Sequence, residues 1–250
     1  MTRKRGLMKL EIFKKIIDDF KNLRDKPAMY FNFSGEPTLN PALPDFVAYA
    51  HEHGHDTFLS TNATRLPEDM AERLITAGLG RVYLCMDGFS KEAQESYRVN
   101  SNFEEVKANI EAFLETRQRL GAKNPKCVLQ TLLTGYSEHQ MDEIKTWAQA
   151  IGMDQIRFKT FSIGSYTTEE EKQEFSRFLP TREDLRRHPT GVQRATCTAP
   201  FTRPSSSGTE ILGCAALTMI RWFSSPTSVK VVFSMPIDPM KPLELARKGT

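Results

Sequence analysis

Apolar positions along the first two thirds of the chain alternate between two periods. From Met8 to Phe20 they fall three and four residues apart, which predicts an amphipathic helix. Ala28 to Phe33 is a short aromatic-rich run that stops at Ser34, and it reads as a buried strand. The same exchange then repeats. Helices are predicted from Ala42 to about His53, from Leu66 to Ala77, from Phe103 to about Leu120, and from Ser137 (a plausible cap) to Ala150. Between them, Thr57–Thr61, Arg81–Met86, Cys127–Leu133 and Gln155–Phe161 read as strands. Strands alternating with helices at this spacing predict parallel βαβ units, and their apolar character predicts burial on both faces. About five strands are visible, too few for a complete eight-stranded barrel, so the expected fold is α/β, a partial (β/α) TIM-type barrel.

Near Gly164 the alternation stops. Thr167 to Leu179 is a charged helical segment opening on Thr168-Glu169-Glu170-Glu171, and Pro180 to Pro189 reads as a polar linker. The expected division is residues 1–162 as the partial barrel, and 163–250 as a linker and a small irregular C-terminal extension.

Composition narrows the class. The chain has 250 residues, 39% hydrophobic and 26% charged, enough for one large α/β domain or a domain and a half. Its net charge of +3 is spread out, with one dense basic run at Thr2-Arg3-Lys4-Arg5, which argues against a nucleic-acid partner. No apolar stretch approaches the roughly 20 residues of a membrane span and no signal peptide is visible, so no membrane is expected and the expected compartment is the cytoplasm. There Cys85, Cys127, Cys197 and Cys214 are free thiols or metal ligands rather than disulfides.

Candidate chemistry gathers at the strand ends. Ser34-Gly35-Glu36-Pro37 can continue neither a strand nor a helix. Gly35 allows close approach of a ligand to the backbone, and Glu36 sets a carboxylate at a C-terminal strand end, where α/β folds place their chemistry. Ser60-Thr61-Asn62-Ala63 and Tyr83-Leu84-Cys85-Met86-Asp87-Gly88 end the next two strands. Each is by itself an ordinary turn. As an ordered set about 25 residues apart they resemble the Gly-Gly-Glu-Pro, Thr-Asn-Gly and Val-Ser-Leu-Asp-Gly motifs of the radical S-adenosylmethionine (radical SAM) superfamily. Ala63 replaces that family's glycine, and Cys85 replaces a serine that contacts the cofactor, a weaker hydrogen-bonding group in its place. Glu95-Ser96-Tyr97-Arg98 resembles a further family segment. The resemblance covers about Met8 to Phe161 and implies a cofactor site at Ser34, Gly35, Glu36, Pro37, Thr61, Asn62, Cys85 and Asp87. In the family the first of these motifs binds the amino group of the cofactor's methionine.

The resemblance also implies a [4Fe–4S] cluster, held in the family by Cys-x-x-x-Cys-x-x-Cys, which cleaves S-adenosylmethionine to methionine and a 5′-deoxyadenosyl radical. No cysteines here have that spacing, and the match starts at Met1. The expectation is therefore a chain that begins just after the cluster loop and is inactive alone. Cys197-Thr198-Ala199-Pro200-Phe201 and Gly208 through Cys214 resemble the start of a SPASM or twitch extension, with Cys197 and Cys214 as candidate ligands of an auxiliary iron–sulfur cluster. That resemblance further implies a peptide or protein substrate and an electron donor. Two other readings stand beside it: a cluster-free binding scaffold, and a TIM-type enzyme acting on a small metabolite. Cys127 reads as a small core residue. His51-Glu52-His53-Gly54-His55 sits at a helix C-terminus, where histidines complement the helix dipole. The chain carries no dinucleotide fingerprint, phosphate-binding P-loop or nucleophile elbow.

Overall fold

Five parallel strands lie side by side in chain order in a computed structural model of the protein. They are β1 (Ala28–Phe31), β2 (Thr57–Thr61), β3 (Arg81–Cys85), β4 (Lys126–Leu133) and β5 (Gln155–Thr160). Described are residues 6–32, 35–163 and 168–186, together with the backbone of two short strands, β6 (Trp222–Phe223) and β7 (Val229–Val232). The helices are α1 (Leu10–Asp19), α2 (Leu43–Glu52), α3 (Glu68–Thr76), α4 (Lys91–Tyr97), α5 (Phe103–Arg119), α6 (Met141–Ala150) and α7 (Glu169–Phe175). β7 pairs in parallel with the outer side of β1, setting Met29 beside Val231, and β6 runs antiparallel to β7. Among the described residues no helix is long and apolar enough to cross a membrane.

Crossovers between parallel strands are right-handed, so a sheet wound steadily in one direction carries all its crossover helices on one face. That face is the core. Met29, Phe31, Leu59, Val82, Leu84, Cys127 and Leu129 point into it and pack with Phe13, Phe46, Leu74, Ile110 and Ile144 from the helices. Phe13 stacks on Phe46 at 4.8 Å and meets Phe31 at 5.8 Å, which fixes α1 and α2 against β1. The intervening strand positions Tyr30, Phe58, Ser60, Tyr83 and Gln130 are only half-buried. The expected burial on both faces is therefore corrected for the described residues: their helices cover one face, and on the other Val128 and Cys85 are buried while the positions around them are half-buried.

Local signals account for most boundaries. Ser90 and Asn102 cap α4 and α5 by accepting backbone N–H bonds, and Thr168 with Glu171 forms a capping box at α7. Gly78 ends the segment after α3 at φ 85°, and a Cβ there would lie 2.3 Å from the His51 ring. α4 is a short helix that periodicity does not reveal. Ser137 does not cap a helix as expected. Its hydroxyl bonds the Thr134 amide and the Leu132 carbonyl, and a 3₁₀ turn (Glu138–Gln140) precedes α6.

Residues 176–186 pack on the C-terminal ends of β4 and β5. Phe178 is buried among Tyr97, Tyr136 and Phe161, with ring centroids 5.5 to 6.0 Å away. Buried Glu138 accepts the Thr181 and Arg182 amides at 3.0 and 3.2 Å and the Thr181 hydroxyl.

Two features of the frame make predictions. His55 is buried, donates through Nδ1 to the Pro27 carbonyl at 2.8 Å, and leaves Nε2 without a partner among the described residues. Burial holds its pKa below the ordinary value, with the Pro27 carbonyl opposing and Lys26 reinforcing the shift. A lowered folded-state pKa means that the unfolded chain binds the proton first. The stability contributed by neutral His55 is thus fully present above about pH 6.5 and is lost as the pH falls toward the folded-state value. Urea midpoints at pH 7.5 and 5.5 should drop further in the wild-type protein than in His55→Gln.

Ala63 has φ 57°, in the left-handed region, and its carbonyl accepts from Asn109 Nδ2 at 2.8 Å. Ala63→Val should lower unfolding free energy by roughly 2 kcal/mol or more, because a β-branched residue resists this backbone. Ala63→Gly should stay within about 1 kcal/mol of wild type, since relief of strain offsets lost Cβ burial.

Candidate functional site

At the C-terminal end of β1 the chain must turn sharply over the sheet. Gly35 does so at φ 109°, a conformation that side chains rarely adopt. Glu36 follows in extended backbone and caps a 3₁₀ turn (Pro37–Leu39) that begins on buried Pro37, whose ring suits a first helical position. Ser34, expected in the cofactor site, lies outside the described residues.

The Glu36 carboxylate is the hub of this corner. Its Oε1 accepts from the Thr38 amide at 3.2 Å, the Thr38 hydroxyl at 2.7 Å and the Thr61 hydroxyl at 2.6 Å. Oε2 accepts from the Asn62 amide at 2.8 Å. Thr61 is buried, and its hydroxyl also accepts from the Ala63 amide at 3.0 Å, so both its hydrogen-bonding roles are used within the protein. Glu36 and Thr61 therefore lock the ends of β1 and β2 together. Asn62 presents the remaining polarity. Its Oδ1 is held by the Thr64 amide and hydroxyl at 3.0 and 2.7 Å, while Nδ2 makes no hydrogen bond among the described residues. Glu36 Oε2 keeps lone-pair capacity beside it.

Below this corner, on the open face, Cys85 Sγ lies 3.4 Å from both Ser60 Oγ and Gln130 Nε2. Burial pushes the Cys85 thiol above its ordinary pKa, with Ser60 opposing the shift, so the sulfur is a neutral thiol rather than a nucleophilic thiolate. Gln130 is a site residue that sequence reasoning missed. The period of two along β4 is the signal that sets it opposite Cys85.

Asp87 is buried, and both its oxygens are engaged within the protein. Its Oδ2 takes Arg98 Nε at 2.5 Å, its Oδ1 takes the Leu132 amide at 3.1 Å, and its own amide donates to Gln94 Oε1 at 2.7 Å. Burial works against the Arg98 charge, but the adjacent Asp87 wins and raises its pKa. Glu95-Ser96-Tyr97-Arg98 thus supplies the cation that pins the β3 end to β4. Gln140 completes the clasp, accepting from the Phe89 amide at 2.8 Å and donating to Ser90 Oγ at 3.1 Å. Gln94 and Gln140 carry no sequence signal, since both act from helices or turns that only the fold brings to this loop.

The structure therefore brings Gly35, Glu36, Pro37, Thr61, Asn62 and Cys85 to one corner, with Asp87 as a buttress behind it. The residues fit the polar, methionine end of S-adenosylmethionine: a carboxylate oxygen and an amide nitrogen without full complements converge beside a backbone bare of side chain. They do not fit an iron–sulfur cluster. Among the described residues no three His, Cys, Asp or Glu side chains converge, and of the two described cysteines Cys127 sits in the helix-side core, its pKa pushed up to about 12 by burial. Cys197 and Cys214 lie outside the described residues. A separate cleft of about 860 Å³ opens at the N-terminal ends of the strands, around Arg117, Lys126 and Asp154. There Arg117 bridges Asp154 and the Pro125 and Gly152 carbonyls, a structural use of the charges.

Comparison with known proteins agrees with the strand-end motifs. A tungsten-containing aldehyde ferredoxin oxidoreductase cofactor-modifying protein of Pyrococcus furiosus is 28% identical over 150 residues, 60% of this chain and 42% of the relative. A solved structure of anSMEcpe with bound S-adenosylmethionine and the Cp18Cys peptide superposes with a TM-score of 0.52 at 18% identity, over 66% of this chain and 46% of that one. SuiB of Streptococcus suis, bound to its precursor peptide SuiA, gives 0.51 at 15% identity, over 65% and 35%. The chain spans less than half the length of each of these proteins. Their likeness shows the fold, the partial barrel expected from the strand count. The Radical SAM superfamily model matches residues 1–148, more than half of the sequence, and the chain belongs to the radical SAM superfamily.

Proposed function

We propose that this chain supplies the S-adenosylmethionine-binding part of a radical SAM enzyme that modifies a peptide or protein in the cytoplasm, with an electron donor serving the cluster. The observation that carries this reading is the Glu36 corner, where Oε2 and Asn62 Nδ2 keep free hydrogen-bonding capacity at the end of two parallel strands. In this reading Glu36 and Asn62 hold the methionine end. Thr61 and Asp87 position the corner without touching the cofactor, since their side chains are committed to Glu36 and to Arg98. Ser60, Cys85 and Gln130 form the floor beneath the rest of the molecule. The peptide substrate is supported by the peptides named with anSMEcpe and SuiB. The pair Cys197 and Cys214 is proposed for an auxiliary cluster. The catalytic cluster finds no ligand set among the described residues, so no chemical step is assigned to this chain.

Saturation-transfer NMR with S-adenosylmethionine tests the binding claim. The cofactor's protons should receive saturation from the wild-type chain, and Asn62→Ala should weaken binding several-fold through loss of a hydrogen bond to a charged ligand. Absence of transfer at millimolar cofactor would sink the proposal. Anaerobic iron–sulfide reconstitution followed by dithionite should yield no 5′-deoxyadenosine from this chain, and its appearance would refute the assignment.

Glu36→Gln separates architecture from binding. The substituted amide must face either the Asn62 N–H or the donors from Thr38 and Thr61, so a donor meets a donor. Urea unfolding should show a loss of about 1–3 kcal/mol.

A further inference from the structure

The open face of the sheet carries positive charge that no carboxylate among the described residues neutralises. None of the five parallel strands contains an aspartate or glutamate. Their register sets Cys85 beside Gln130 and Gln130 beside Arg157, with Leu132 and Lys159 paired two residues further toward the C-terminal ends. Arg157 and Lys159 are exposed on the edge strand β5. Arg157 nevertheless does not extend off the edge. Its guanidinium lies 5.5 Å from the centroid of the Tyr83 ring, on β3, so the side chain reaches back across β4 over the floor. At about 4.8 Å per strand it spans two strand spacings to do so.

Several other arginines are ion-paired, while Arg81, at the N-terminal end of β3, lies over the Phe58 ring at 5.6 Å without a carboxylate partner among the described residues. Arg98 meets Asp87, Arg117 meets Asp154, Arg119 meets Glu68 and Glu72, and Arg182 meets Asp184. Among the described residues neither Arg157 nor Lys159 has a carboxylate partner. A guanidinium stacked on an aromatic ring keeps its planar edge free for two parallel hydrogen bonds, and it is weakly hydrated, which suits it to a carboxylate. Lys159 adds a second point charge one row closer to the Glu36 corner.

We propose that the open face receives an acidic residue of the substrate peptide, its carboxylate held by Arg157 with Lys159 beside it, which sets the neighbouring peptide along β5, next to the floor assigned to the cofactor. The proposal rests on the peptide-modifying reading for its occupant, while the carboxylate site rests on the sheet itself.

Fluorescence anisotropy with the full chain tests it, using a fluorescein-labelled glycine-serine decapeptide with two central glutamates and the same peptide with glutamines. The glutamate peptide should bind at least about tenfold more tightly, the value of one charge-assisted contact. Arg157→Met should abolish that preference. Arg157→Lys should retain part of it, and Lys159→Met should reduce it. Both residues are exposed, and unchanged urea midpoints would verify that the variants fold. Equal binding of the two peptides, or an undiminished preference in Arg157→Met, overturns the proposal. Saturation transfer from S-adenosylmethionine, measured in parallel, should be unaltered by Arg157→Met. If the cofactor signal is missing while the glutamate preference persists, the cofactor reading fails and the carboxylate site stands.

Discussion

Every feature of this fold that bears on function follows from the handedness of its crossovers. Parallel strands laid down in one direction, each joined to the next by a right-handed helix, place the helices on one side and leave the other without a described helix. One side can then satisfy the hydrophobic demand of the strands, while the other is free to carry tyrosines, a thiol, amides and guanidiniums. The Phe13–Phe31–Phe46 contact illustrates the covered side, each ring fully buried and contributing about 1.5–3 kcal/mol by removal from water. The open side is stabilised by few such contacts and is available for ligands.

The second constraint is that loops at the C-terminal ends must be held still without a core of their own. Hydrogen-bonded carboxylates, two of them buried, do this three times. Glu36 joins β1 to β2, Asp87 joins β3 to β4, and Glu138 ties residues 181 and 182 to the turn before α6. An unpaired buried carboxylate is costly, so each clamp is an all-or-none arrangement that fixes loop geometry. Of the three only Glu36 is half-exposed, and it stands beside Asn62, whose Nδ2 makes no hydrogen bond among the described residues, so it is the candidate site while buried Asp87 and Glu138 are supports.

Legibility in the sequence followed the range of the interaction concerned. The helix and strand pattern was readable because hydrophobic period is a local property, and the bounds of α5 and β2 match it almost residue for residue. The three strand-end motifs were readable for the same reason: a turn after a strand needs particular residues in particular places. Arg98 and Gln94 could not be assigned roles from the chain alone, because their partner Asp87 is selected by the packing of α4 and not by spacing. Arg157 was read as an ordinary strand residue, and only its position over Tyr83 singles it out.

By itself the sequence determined the order of elements, the parallel sheet and the membership of a family whose motifs end successive strands, since these depend on periodicity and on local turn chemistry. Tertiary structure decided which face of the sheet the described helices cover, which carboxylates are buried as supports and which stays half-exposed, and where cations without a carboxylate partner lie. Those outcomes depend on the contacts of residues 25 to 51 positions apart, such as Glu36 with Thr61 and Phe89 with Gln140, and no local pattern encodes them.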